Sequence, residues 1–215
     1  LHYPLRRQRQ MCIRDRLSSE PKIMIAYDLI GQTPLVLLES FSDENVKIYA
    51  KLEQFNPGGS IKDRLGKYLI EKAIDEGRLK EGDTIVEATA GNTGIGFAIA
   101  SNRYKVKCII FAPEGFAEEK ISIMKALGAD VRRTPKAEGM TGAQQEALAY
   151  ATRYGYLYMN QFETKDNPGA YTQTLAKQLT DELSHIDYFV AGVGSGGTFT
   201  GVAQHLKTYD VKNYI

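Results

Sequence analysis

After about residue 23 the chain alternates between two apolar periodicities. Leu65, Leu69, Ile70 and Ala73 recur at helical spacing, which predicts a helix over Lys62–Glu76 with Gly77 as its C-terminal cap. Short apolar runs predict strands at Val46–Leu52, Thr84–Glu87, Lys107–Phe111 (ended by Pro113), Val131–Arg133, Leu157–Asn160 and Tyr188–Val193. Between and after them, helices are predicted at Asn92–Asn102, Glu118–Leu127 (closed by Gly128), Gly142–Tyr154, Gly169–Leu183 and Thr198–Lys207. Val211–Ile215 begins a further strand, so the chain reads as a fragment with an open sheet edge. This repeated strand–helix alternation predicts an α/β fold with a parallel sheet covered on both faces.

Composition narrows the class. A chain of 215 residues with 43% hydrophobic residues can bury a sizeable core in one or two domains. No apolar run is long enough to span a bilayer, and the net charge of +1 points to no polyanionic partner. Residues 1–22 stand apart: over Leu1–Arg16, Arg6, Arg7, Arg9, Arg14 and Arg16 face a single Asp15, without the apolar core of a signal peptide. They read as a disordered or non-native extension. Cys12 and Cys108 form no disulfide framework, which makes a cytoplasmic location the default. His2, His185 and His205 are scattered without metal-ligand spacing, so no metal is expected. Tyr150, Tyr154, Tyr156 and Tyr158 fit packing better than base stacking.

Three loops carry the chemistry. In Asn56-Pro57-Gly58-Gly59-Ser60-Ile61-Lys62-Asp63-Arg64, a Gly/Pro turn leads into a helix that Ser60 can cap, with Asp63 at the third helical position. Lys62 falls in the first turn, where the positive end of the helix dipole disfavours an ammonium and suits a nucleophilic amine. The second loop, Thr89-Ala90-Gly91-Asn92-Thr93-Gly94, gathers amides and hydroxyls at a helix N-terminus, as a carboxylate or phosphate site does. The third, Gly192-Val193-Gly194-Ser195-Gly196-Gly197-Thr198, exposes successive amides as a phosphate nest. An amine, a phosphate nest and a carboxylate loop together are what a pyridoxal 5′-phosphate enzyme requires. Each has a plainer reading: a solvated lysine beside a capping box, a capped βα turn, and a GxGxxG dinucleotide loop at Gly192, Gly194 and Gly197. The dinucleotide reading wants an acidic residue after the next strand, whereas Asp210 precedes it, and it leaves Lys62 and the Asn92 loop without a task. No GxxxxGK[ST] phosphate loop occurs. Gln161 ends a strand where open α/β sheets place ligands; it could donate to a carboxylate or be an exposed polar loop residue.

Taken together, these blocks resemble the cysteine synthase and cystathionine β-synthase family of fold-type II pyridoxal-phosphate enzymes. The resemblance runs in register from about Leu29 to Ile215. It includes Gly31-Gln32-Thr33-Pro34-Leu35, the lysine loop, Glu87–Gly96, Met124–Ala129, Gly139–Ala143 and Gly194–Thr198. It implies two three-layer α/β/α domains with mostly parallel sheets, of the tryptophan synthase β-like type, the second incomplete. Residues 23–63 and 161–215 would form the larger, truncated cofactor domain, and residues 64–160 a smaller domain that moves on substrate binding. Lys62 would hold the cofactor covalently and act as general base at the substrate Cα. Asn92 would bind the cofactor's 3′-oxygen, and Gly194, Ser195, Gly196, Gly197 and Thr198 its phosphate. Thr89, Gly91, Thr93 and Gln161 would bind the amino-acid carboxylate. The implied reaction is β-replacement on an activated serine (O-acetylserine) with sulfide or homocysteine.

Two departures qualify the resemblance. Ala90 stands where many members have serine, and the Glu87–Gly94 block is nearer to bacterial O-acetylserine-dependent cystathionine β-synthases. The family's C-terminal Ser or Cys at the pyridine nitrogen has no counterpart. Three rivals remain. One is a serine/threonine dehydratase of the same fold, which typically has His where Thr93 stands. The others are an inactive fragment of such an enzyme and the dinucleotide oxidoreductase. The implied partners are a small amino-acid substrate and, at full length, a second copy of the chain; neither nucleic acid nor membrane is expected.

Overall fold

The computed structural model describes residues 24–209 and 212–213. The expected extension over residues 1–22 and most of the expected last strand lie outside the described residues, as does Asp210. The central feature is a four-stranded parallel sheet in the order Asp130–Thr134, Lys107–Pro113, Thr84–Ala88, Leu157–Tyr158. Its strands are β3 (Thr84–Ala88), β4 (Lys107–Pro113), β5 (Asp130–Thr134) and β6 (Leu157–Tyr158). Helices connect them: α1 (Lys62–Asp75) precedes β3, followed by α2 (Asn92–Arg103), α3 (Glu118–Ala126) and α4 (Gly139–Tyr154).

Alternation along the strands decides which helix covers which face. Val86, Ala88, Ile109 and Phe111 pack with Ala143, Ala147 and Ala151 of α4. Ile85, Cys108, Ile110 and Ala112 face the other way and join Leu65, Leu69, Ile95, Ile121 and Met124 of α1, α2 and α3. The result is the three-layer α/β/α arrangement that the chain's periodicity predicts.

Helices α1 and α2 cross with almost no side chain between them. A Cβ at Gly66 would lie 2.4 Å from the carbonyl carbon of Gly96, and one at Gly96 would lie 2.4 Å from the Lys62 carbonyl oxygen. That close approach fixes the start of α1 directly against α2.

The remaining elements flank this unit. β1 (Leu35–Leu37) and β2 (Tyr49–Lys51) pair antiparallel. β2 is shorter than the Val46–Leu52 strand expected. Val46 closes a turn instead: its N–H donates to the Asp43 carboxylate and its carbonyl accepts from the Asp43 N–H, both at 2.8 Å. β6 is also short. Met159 N–H still bonds the Val86 carbonyl, but Asn160 turns to φ +48° and ends the ladder.

One helical run begins with α5 (Asn167–Tyr171), with Pro168 in its first turn, passes through a π turn (Thr172–Ala176) and continues as α6 (Lys177–Glu182). It starts two residues earlier than the Gly169 start read from sequence. Thr172 Oγ1 donates to the Gly201 carbonyl at 2.9 Å, tying the π turn to α7 (Gly197–Leu206). β7 (Tyr188–Phe189) pairs with β8 (Lys212–Asn213) over two residues only, where a longer strand was expected, and Val190 and Val193 are exposed. Tyr171, Leu175, Leu179, Val202 and Leu206 join the same core as α1 and α2, so the α5–α7 layer packs continuously on the sheet unit. No helix of the described residues is long and apolar enough to cross a membrane.

Candidate active site

The lysine loop is held from several sides. Ser60 Oγ accepts the Lys62 N–H at 3.2 Å, as an N-terminal hydroxyl should. Asp63 does not complete the expected capping box with Ser60; its Oδ2 takes the Gly58 N–H and so closes the glycine turn itself. Burial pushes the Asp63 carboxyl up to about 6, against the pull of that amide. Arg64 is almost fully buried and binds Glu53 through Nε and Nη2, and also reaches the Gly31 carbonyl, Thr33 and Gln178. The paired guanidinium holds the Glu53 carboxyl below its ordinary value although burial alone would raise it. This anchoring leaves Lys62 facing away from the network. Its Nζ lies 3.4 Å from Ser195 Oγ and 5.9 Å from the centre of the Tyr171 ring. Burial lowers the Lys62 pKa, which favours the neutral, nucleophilic amine. The dipole argument from sequence pointed the same way; desolvation is the cause the structure identifies.

The second loop leaves the C-terminal end of β3. Gly91 N–H donates to Thr89 Oγ1 at 3.2 Å, and Asn92 opens α2 half-buried. Thr93 Oγ1 donates to Gln161 Oε1 at 2.8 Å, both side chains being buried. Gln161 is therefore part of this pocket, not an exposed loop residue. The third loop enters α7 through Gly196, whose φ of +81° turns successive amides to one side. Ser195, Gly196 and Thr198 are half-buried there and Gly194 is exposed.

Hydrogen bonds thus join Lys62 to Ser195, Thr93 to Gln161, and Gly91 to Thr89. A Cβ at Gly91, Gly192 or Gly194 would meet no protein atom within 4 Å, so the space beside both loops is open to a ligand. A half-buried amine next to a glycine-rich nest at a helix N-terminus fits a phosphate-bearing aldehyde, and the amide and hydroxyl loop fits a carboxylate.

Sequence reading missed three residues of this region. Glu87 is fully buried on the α2 face of β3. It accepts the Ala88 N–H through Oε1 at 2.9 Å and the Gln161 N–H through Oε2 at 3.1 Å. Asn167 donates to the Gln161 carbonyl and to Ser195 Oγ. Tyr171 is fully buried below Lys62. Glu87 lies in a run otherwise apolar, a signal that sequence alone offers; Asn167 and Tyr171 carry none.

A parallel α/β sheet with a lysine at one helix start and two ligand loops at two others defines a cofactor-dependent enzyme scaffold. The chain belongs to the pyridoxal-phosphate dependent enzyme family, whose model matches residues 26–214. It is 50% identical over 183 residues to the O-acetylserine dependent cystathionine beta-synthase of Bacillus subtilis (strain 168), covering 84% of the chain and 60% of the relative. It is 47% identical over 189 residues to a cysteine synthase of Helicobacter pylori (strain 26695), covering 84% of the chain and 60% of the relative. The crystal structure of the O-acetylserine dependent cystathionine beta-synthase from Helicobacter pylori superposes with a TM-score of 0.84 at 43% identity, over 90% of this chain and 66% of that one. The chain spans about 60% of the length of the curated relatives it matches.

Proposed function

We propose that this chain carries the lysine, phosphate and carboxylate sites of a pyridoxal-phosphate enzyme that performs β-replacement on O-acetylserine, with sulfide or homocysteine as nucleophile, giving cysteine or cystathionine. The single observation that carries the reading is the half-buried Lys62, whose Nζ lies beside Ser195 of the glycine nest. The similarity to an O-acetylserine dependent cystathionine beta-synthase and to cysteine synthases supports the reaction class. When bound, pyridoxal phosphate supplies an electron sink for negative charge at the substrate Cα. The chain's own residues do the rest. Lys62 Nζ holds the cofactor and then, as a neutral amine, takes the Cα proton. Gly194, Ser195, Gly196, Gly197 and Thr198 hold the phosphate, and Asn92 the 3′-oxygen. Thr89, Gly91, Thr93 and Gln161 hold and orient the substrate carboxylate, so that the β-leaving group departs from a fixed geometry.

Residues 64–160 would act as the smaller, mobile domain; their self-contained four-stranded sheet supports that division. The larger domain would comprise residues 23–63 and 161–215. A cytoplasmic location remains the default for a sequence whose two cysteines form no disulfide framework. A homodimer at full length is what the resemblance to the family implies.

The test is an absorbance titration of the chain and of its full-length form with pyridoxal phosphate, followed by O-acetylserine. The expected result is a visible band, altered by O-acetylserine and absent in Lys62→Ala. A band in the full-length form alone would mark the chain as an inactive portion. No band in either would overturn the cofactor assignment.

A further inference from the structure

We propose that Asn167 is a positioning residue that ties the loop carrying Gln161 to the loop carrying Ser195, so that the carboxylate and phosphate sites keep one relative geometry. The proposal rests on the functional reading above. Asn167 is the first residue of α5, yet its side chain does not cap its own helix. It is 3% exposed, and both hydrogens of its amide are used elsewhere. Nδ2 donates to the Gln161 carbonyl at 2.7 Å and to Ser195 Oγ at 3.1 Å. Those contacts set the orientation of the amide, because a flipped group would place Oδ1 against the Gln161 carbonyl oxygen.

The other end of the side chain is equally constrained. Oδ1 is buried without a protein hydrogen-bond partner, and a Cβ at Gly197 would lie 1.9 Å from it. Asn167 is thus wedged against the first residue of α7 while it grips both loops. A buried oxygen left unpaired costs stability. The amide occupies the position because its two donors reach two loops at once.

The bonds continue in both directions. Ser195 Oγ also meets Lys62 Nζ at 3.4 Å, and Gln161 Oε1 accepts from Thr93. Asn167 is therefore a link in a hydrogen-bonded string that runs from the lysine and the nest to the carboxylate pocket. Removing it frees Ser195 on one side and the Gln161 backbone on the other. Both losses fall first on binding, because neither bond is made to Lys62 itself, which is reached only through Ser195.

The experiment uses the full-length protein, with Asn167→Ala, Asn167→Asp, Ser195→Ala and the Asn167→Ala/Ser195→Ala double variant. Read out are the pyridoxal-phosphate dissociation constant by visible titration, KM and kcat for O-acetylserine, and the melting temperature of the unloaded protein. Asn167→Ala should raise both the cofactor constant and KM about tenfold, as loss of a buried hydrogen bond does, with kcat changed less than about threefold. Asn167→Asp keeps the volume but has no donor, and it sets a carboxylate beside the phosphate site, so it should weaken cofactor binding further than alanine. In the double variant the cofactor effect should be less than additive, because the two residues share one contact, while the KM effect persists. Full additivity on cofactor binding, or a lower melting temperature with the cofactor constant and KM unchanged in both Asn167 variants, would overturn the proposal. A wild type without cofactor binding would instead overturn the functional reading on which it stands.

Discussion

Glu87 accepts two backbone N–H groups and pairs with no cation among the described residues, so burial dominates and pushes its carboxyl up to about 8. The folded chain therefore binds a proton that the unfolded chain releases near the ordinary glutamate value of 4.5. Stability from this group is fully present below that value and is lost as pH rises through about 8. Melting curves at pH steps from 5 to 9 should show the wild type losing stability over that window, while Glu87→Gln, which keeps a neutral acceptor, falls less. An identical slope in both proteins would show that Glu87 is ionised in the fold throughout. Cys108 is inert for a related reason. Burial pushes its thiol up to about 12, so it presents almost no thiolate at neutral pH. Lys62 was legible from sequence because its loop and helix start are local features. The Glu87–Gln161 and Asn167–Ser195 contacts were not, because they join positions far apart in the chain that the topology alone brings together.

At the scale of elements, one residue ties α1 to three separate segments. Arg64 links the Gly31 turn, the short 3-10 turn Glu53–Phe55 and Gln178 of α6. Arg64→Leu would leave the Glu53 carboxylate in a protein environment without its cation, which should cost roughly 3–5 kcal/mol in denaturant unfolding. Glu53→Gln should cost less, because the guanidinium keeps its other acceptors. Equal losses in the two variants would argue that packing, not charge, holds this junction. The helices and the parallel strands followed directly from periodicities of 3.6 and 2. The misjudged boundaries fall where a local polar contact overrides an apolar run. Asp43 captures Val46 from the strand expected over Val46–Leu52, and left-handed Asn160 stops β6. The π turn had no sequence signal; Thr172 at its start bonds Gly201 of α7, a contact between distant positions.

For the whole molecule, stability should be uneven. β3 and β4 are nearly fully buried and paired on both sides, whereas β7 and β8 share two residue pairs beside exposed Val190 and Val193. Native-state hydrogen exchange should find the slowest amides in β3 and β4 and fast exchange at Tyr188 and Phe189. Comparable protection at Tyr188 and Ile110 would contradict this order. The three-layer architecture was legible from strand–helix alternation, while the assignment of residues to larger and smaller bodies draws on resemblance more than on pattern. The crossing of α1 and α2 has a further consequence, for sequence drift. A side chain at Gly66 strikes Gly96, and one at Gly96 strikes the backbone of Lys62. No second substitution can give ground, because the obstructing atoms are main chain. Neither glycine has a neutral neighbour in sequence space, and changing both only adds the two collisions. A mutational scan selecting for a folded chain should return glycine alone at both positions, making the pair a fixed point around which the rest of the sequence is free to diverge.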